Sequence, residues 1–137
     1  MSHQQRTINL PTVRTGPAKT QTAKGGTTDS VGLTPSVGLT PAQASAVTHP
    51  RGPLLIIAGA GSGKTNVITK RLAWLLTTGP DGSKLSGDQI LAVTFSNKAT
   101  DEMEERLDRL MPAGFNEPWI NTFHAFGERV LRQNALA

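Results

Sequence analysis

The stretch that most constrains this chain is Ala58-Gly59-Ala60-Gly61-Ser62-Gly63-Lys64-Thr65. It follows an apolar run, Leu54-Leu55-Ile56-Ile57, that reads as a buried strand. After it come Val67, Ile68, Leu72, Leu75 and Leu76. Their i, i+4, i+7, i+8 spacing from Ile68 predicts one face of a helix. Strand, glycine-rich turn, Lys-Thr, helix is the pattern of a phosphate-binding P-loop. Glycines let the backbone curl so that successive N–H groups face a polyphosphate, and the helix N-terminus adds roughly half a positive charge. Lys64 would reach the β- and γ-phosphates, and the Thr65 hydroxyl would hold Mg²⁺. Ala58 stands where the usual pattern has its first Gly, a small departure. The plain alternative is a flexible Gly/Ser turn, but pattern and flanking elements agree on the phosphate loop.

At 137 residues the chain has length for one domain at most. It has no cysteine, which excludes disulfides and thiolate metal sites and suits a cytoplasmic setting. No apolar run approaches the ~18 residues of a membrane span, and no signal-peptide core is present. The net charge of +4 is unevenly spread. Residues 1–50 hold Arg6, Arg14, Lys19 and Lys24 against Asp29 alone, while the remainder is nearly balanced. Such a basic tail either attracts nucleic acid or is simply solvated.

Residues 1–36 are poor in large apolar groups and read as a disordered, Thr-rich tail. Val31-Gly-Leu-Thr-Pro-Ser is followed by Val37-Gly-Leu-Thr-Pro-Ala, a local duplication too short for a solenoid. Only the second copy leads into a helix signal. Thr40 is the N-cap, Pro41 the first helical position and Gln43 the third, forming a capping box, with the helix ending before Pro50. After the loop helix, residues 77–87 read as a connection. Residues 90–95, Ile-Leu-Ala-Val-Thr-Phe, read as a second buried strand. Asn97 would cap a helix with Ala99, Met103, Leu107, Leu110 and Met111 on one face. Asp101, Glu102, Glu104, Glu105, Arg106, Asp108 and Arg109 give its solvated faces. Residues 119–123 read as a short strand and 125–135 as a last helix, Phe126 and Val130 facing the core. Alternating strands and helices predict an α/β fold with a parallel sheet, ligands gathering at the carboxyl ends of the strands.

A GTPase would carry Asp-x-x-Gly after the P-loop, but Asp29 to Gly32 lies before it. Asn97-Lys98-Ala99-Thr100 ends in Thr where guanine recognition needs Asp. Four blocks occur in one order: Leu39-Thr-Pro-Ala-Gln43, the P-loop, Leu91-Ala-Val-Thr-Phe-Ser-Asn-Lys-Ala-Thr-Asp-Glu-Met103, and Asn121-Thr-Phe-His-Ala-Phe-Gly-Glu-Arg-Val-Leu-Arg132. In this the chain resembles the N-terminal part of UvrD/Rep-type superfamily 1 DNA helicases, with their Q motif and motifs I, Ia and Ib, over residues 39 to 135. The resemblance implies a P-loop NTPase of the RecA-like type, an incomplete parallel sheet with flanking helices over 37–137. It implies ATP and Mg²⁺ as cofactors, and 3′ to 5′ movement on single-stranded DNA with unwinding at duplex junctions.

The implied roles fall on particular residues. Gln43 would read the adenine edge, a role compatible with its capping box. Residues Ala58, Gly59, Ala60, Gly61, Ser62, Gly63, Lys64, Thr65 and Asn66 would bind the nucleotide. Many relatives carry Arg at the position of Asn66. Phe95, Ser96, Asn97 and Lys98, with Thr122, Phe123 and His124, would line the single-strand track. An aromatic ring stacks on any base, and a lysine meets phosphate. Their plainer readings are a core residue ending a strand for Phe95, an N-cap for Asn97, and a cap or packing residue for His124. No apolar strand here ends in the Asp-Glu pair that completes a Mg²⁺ site and activates water. The chain therefore reads as the front of a helicase. Two rivals stand beside this reading: a non-catalytic chain that binds nucleotide or single strands weakly, and a P-loop kinase. Taken alone, residues 1–137 are expected to be loosely packed, prone to associate and without ATP turnover.

Overall fold

The computed structural model describes residues 37–135. The expected tail, the first copy of the duplication and Asp29 to Gly32 lie outside the described residues.

Four helices and two strands run in the order α1 (Pro41–Val47), α2 (Lys64–Thr77), β1 (Leu91–Thr94), α3 (Asn97–Leu110), β2 (Trp119–Thr122) and α4 (Phe123–Asn134). Two short 3-10 turns, Pro80–Gly82 and Gly87–Gln89, occupy the expected connection between α2 and β1. The strands pair in parallel, Leu91 beside Trp119 through Thr94 beside Thr122. A parallel pair needs a crossover, and α3 supplies it. The architecture is α/β with a two-stranded parallel sheet.

Helix α1 forms as its capping box requires. The Thr40 hydroxyl accepts from the Gln43 backbone N–H at 3.3 Å, and the Thr40 N–H donates to Gln43 Oε1 at 2.9 Å. Helix α2 carries two apolar faces. On one, Val67 and Trp74 pack with Val47 of α1. On the other, Leu72 and Ala73 join Ile90, Met103, Leu107 and Ile120 in the main core. Leu107 is 1% exposed and Val47 fully buried, so both clusters are closed to water.

Several boundaries differ from expectation. Ile68 is exposed; the buried faces of α2 are centred on Val67–Trp74 and Leu72–Ala73 instead. Helix α1 selects the first pair and α3 the second. The cap of α3 is Ser96, whose hydroxyl accepts from the Ala99 N–H at 3.2 Å, and Asn97 is the first helical residue. Thr122 caps α4 in the same way, so that helix begins at Phe123. The second strand shortens to Leu91–Thr94 and is only partly covered, with Leu91 and Phe95 exposed.

The main correction concerns residues 54–57. They form no strand, and the sheet lacks its expected third member. Leu55 and Ile57 are 83% and 90% exposed, while Leu54 and Ile56 are each 39% exposed. That alternation is the two-residue period of extended chain. Among the described residues the sheet consists of β1 and β2, and the segment adds to neither of their free edges, so its N–H and C=O groups make no ladder bonds.

The charged faces of α3 and α4 carry i, i+4 ion pairs: Arg106 with Glu102, Arg109 with Glu105 at 3.0 Å, and Arg132 with Glu128 at 2.6 Å. Such exposed pairs contribute a few tenths of a kcal/mol each.

An extended, apolar, unpaired segment is a template for association. Sedimentation velocity on the chain should show concentration-dependent association, reduced by the double substitution Leu55→Lys, Ile57→Lys. A monomeric wild type with a sharp unfolding transition would contradict this.

Candidate nucleotide and nucleic-acid site

The loop ahead of α2 is shaped by its glycines. Gly61 and Gly63 adopt φ of 73° and 81°, a left-handed conformation that side chains with a Cβ resist. Gly63 is the N-cap of α2 and brings no side chain to its free N–H groups. The other three helices all carry a Thr or Ser cap. The N-terminus of α2 is thus left open at the end of a curled loop.

Lys64 folds back over that loop. Its Nζ donates to the Ala58 carbonyl at 3.0 Å and to the Gly59 carbonyl at 2.6 Å. The Ser62 hydroxyl donates to the same Gly59 carbonyl at 2.7 Å. Ala60 sits at the turn between them, exposed. Thr65 and Asn66 follow in the first turn of α2, both half-buried. The Thr65 carbonyl accepts from Thr69 Oγ1 at 2.9 Å.

Gln43 reaches this loop from α1. Its Nε2 donates to the Ser62 carbonyl at 3.0 Å while its Oε1 stays in the capping box. One side chain therefore serves both the cap and the loop. The approach is close: a Cβ built on Gly63 would lie 3.3 Å from Gln43 Nε2.

A second group gathers at the carboxyl ends of the strands. The register sets Thr94 beside Thr122, so the residues that follow are neighbours. Phe95 and Phe123 meet with ring centroids 5.1 Å apart and planes tilted by 39°. Phe95 is 87% exposed, which removes the reading of a core residue ending a strand. Ser96 and Thr122 cap the helices that start here, so two helix N-termini open on one edge. Asn97, Lys98 and His124 lie exposed in those first turns. A hydrogen bond of 2.7 Å between the Thr94 and Thr100 hydroxyls ties the end of β1 to α3.

The structure brings Gln43 together with the loop, and Phe95 with Phe123. Among the described residues no hydrogen bond or ring contact joins the first group to the second. Sequence reasoning missed Arg71. Its Nη1 donates to the carbonyls of Ala46, Val47 and His49 at 3.1, 3.0 and 3.0 Å. Burial lowers its pKa from the ordinary arginine value. The signal was present, for Val67, Arg71 and Trp74 form an i, i+4, i+7 stripe facing α1.

These elements occur in a chain whose residues 39–137 match the profile of the UvrD/REP helicase N-terminal domain. The chain belongs to the UvrD/REP helicase family. It is 47% identical over 93 residues to an ATP-dependent DNA helicase PcrA of Staphylococcus aureus strain Mu50 and to one of Staphylococcus epidermidis strain ATCC 12228. In each case the match covers 68% of this chain and 12% of the relative, so the chain spans a small part of the length of these helicases. Among the described residues, no helix of this UvrD/REP member is long and apolar enough to cross a membrane.

The geometry of the loop sets an order of tolerance. Gly63→Ala meets both a left-handed φ and Gln43, and should cost about 1–2 kcal/mol. Gly59→Ala, with open space at its Cβ and no left-handed φ, should stay within about 0.5 kcal/mol of wild type. Urea unfolding of the two variants checks this order.

Proposed function

We propose that residues 37–137 are the nucleotide-binding front of the first RecA-like domain of an ATP-dependent DNA helicase. The observation that carries the reading is the curled glycine loop at the open N-terminus of α2, with Lys64 over it and Gln43 docked on it. Membership of the UvrD/REP family supports assigning this loop to ATP rather than to another phosphate ligand.

In this reading, residues 58–63 wrap the triphosphate with backbone N–H groups, and Asn66 adds a polar contact beside them. Lys64 exchanges the Ala58 and Gly59 carbonyls for the β- and γ-phosphates. That exchange replaces neutral acceptors by charged ones, which strengthens the hydrogen bonds. Gln43 reads the adenine edge through the amide that now holds Ser62. The hydroxyl of half-buried Thr65, in the first turn of α2, fits a Mg²⁺ ligand, and a magnesium ion needs few protein ligands because phosphate oxygens and water supply the rest. When bound, Mg²⁺ neutralises charge on the phosphates. Turnover also needs an acidic pair. β1 ends at Thr94 and is followed by Phe95-Ser96, and β2 ends at Thr122 and is followed by Phe123-His124, so neither strand end supplies one. We assign turnover, 3′ to 5′ movement on single strands and unwinding at duplex junctions to a longer chain that carries these residues at its front.

The second group is assigned to the single strand. Phe95 and Phe123 offer stacking surface, Lys98 and His124 lie beside them, and the first turns of α3 and α4 offer N–H groups to phosphate. Ser96, Asn97 and Thr122 shape that edge as caps and first-turn residues.

Two measurements on such a longer chain test the assignment. Lys64→Ala removes a charge-assisted contact of ~1.5–3 kcal/mol, and should abolish ATPase and unwinding while single-strand binding persists. ATPase at the wild-type rate in that variant would sink the nucleotide assignment. Phe95→Ala should weaken single-strand binding by about 1–3 kcal/mol without regard to sequence. Fluorescence anisotropy on homopolymer oligonucleotides reads it.

A further inference from the structure

We infer that Arg71 is a positioning residue that holds Gln43 at the nucleotide loop by fixing the end of helix α1; the inference rests on the nucleotide reading above. The capping box fixes the start of α1, and nothing in it fixes where the helix lies. A seven-residue helix is marginal alone and leaves its last carbonyls without helical partners. Arg71 reaches across from α2 and donates to three carbonyls at that end, those of Ala46, Val47 and His49. A cation at a helix C-terminus is also favoured by the helix dipole.

The guanidinium is itself held. It lies 5.9 Å from the Trp74 ring centroid, and Trp74 packs with Val47 and Val67 in the closed cluster between the helices. Lys70, the preceding residue on α2, donates to the Val37 carbonyl before α1 begins. The segment is thus tied to α2 at both ends. Val47 and Gln43 are four residues apart and share a face. Locking Val47 against α2 therefore directs Gln43 at the loop that opens α2, where its Nε2 meets Ser62. Among the described residues Arg71 makes no hydrogen bond to the loop or to Gln43; it acts through the placement of α1.

The test uses the longer helicase chain that carries these residues, with Arg71→Met to keep the stem and remove the donors. Two readouts are taken. The first is the Gln43 side-chain amide signal in nitrogen-15 NMR, whose slowed exchange reports its bond to Ser62. The second is the ratio of ATP to CTP affinity by titration. Arg71→Met is expected to release the Gln43 amide and to lower the ATP preference about fivefold to tenfold, the size of one lost hydrogen bond. Gln43→Ala should lower it as much, and the double variant no further, because both act through one contact. A merely structural role would lower stability and leave ratio and amide signal unchanged. If Arg71→Met does not fold, Arg71→Gln, which keeps one amide donor, carries the same two readouts. Wild-type amide exchange and ATP preference in a folded Arg71 variant would overturn the inference. Absence of ATP preference in the wild type would overturn the adenine reading and its link to Arg71, and the amide signal would still decide whether Arg71 places Gln43.

Discussion

Helix α2 is buried on two sides, and the described structure depends on it. Val67 and Trp74 hold α1; Leu72 and Ala73 hold α3 and, through it, the strand pair. An amphipathic surface helix has one apolar stripe. A second stripe makes α2 an interior helix, and its N-terminus is therefore anchored from both sides. The loop at that terminus can use left-handed glycines and dispense with a cap because the helix behind it is fixed by packing. Local strain of about 1–2 kcal/mol per left-handed residue applies to residues with a Cβ, and glycine avoids it.

The same two-sidedness explains what could be read from the sequence. Capping chemistry is local, and Thr40, Pro41 and Gln43 define the start of α1 within four residues. The face of α3 is equally plain, because Met103 and Leu107 stand among charges. Helix α2 was harder. With apolar residues at 67, 68, 72, 73, 74, 75 and 76, many phases of a helical period fit. Only the neighbours decide that Ile68 is outside and Trp74 inside. The segment 54–57 fails for the complementary reason. Its composition is that of a buried strand, but a strand is defined by ladder bonds to a neighbour, and composition cannot supply the neighbour.

The site follows the same division. Gln43 and the loop were legible as motifs, yet their contact depends on α1 lying against α2. That depends in turn on Arg71, whose hydrogen-bond partners are all backbone carbonyls. Carbonyls leave no mark in a sequence, so a residue that hydrogen-bonds only to backbone is hard to find by pattern. What did remain visible was a charge on an otherwise apolar stripe. A half-buried arginine there gives up part of its hydration and regains hydrogen bonds from nearby acceptors.

At the other edge, pairing register is sufficient to assemble the aromatic group. Once Thr94 stands beside Thr122, Phe95 and Phe123 must leave the sheet at the same height and on the same edge. Each is followed by a helix start, one capped by the residue after the aromatic and one by the residue before it. The rings meet at a tilt, with centroids 5.1 Å apart and planes at 39°. Tilted and offset pairs are favoured by the ring quadrupoles, and the contact leaves Phe95 87% exposed. A ring held in place by its neighbour, with one face free, is better prepared to stack on a flat partner than a mobile one, because less rotamer freedom is lost on contact.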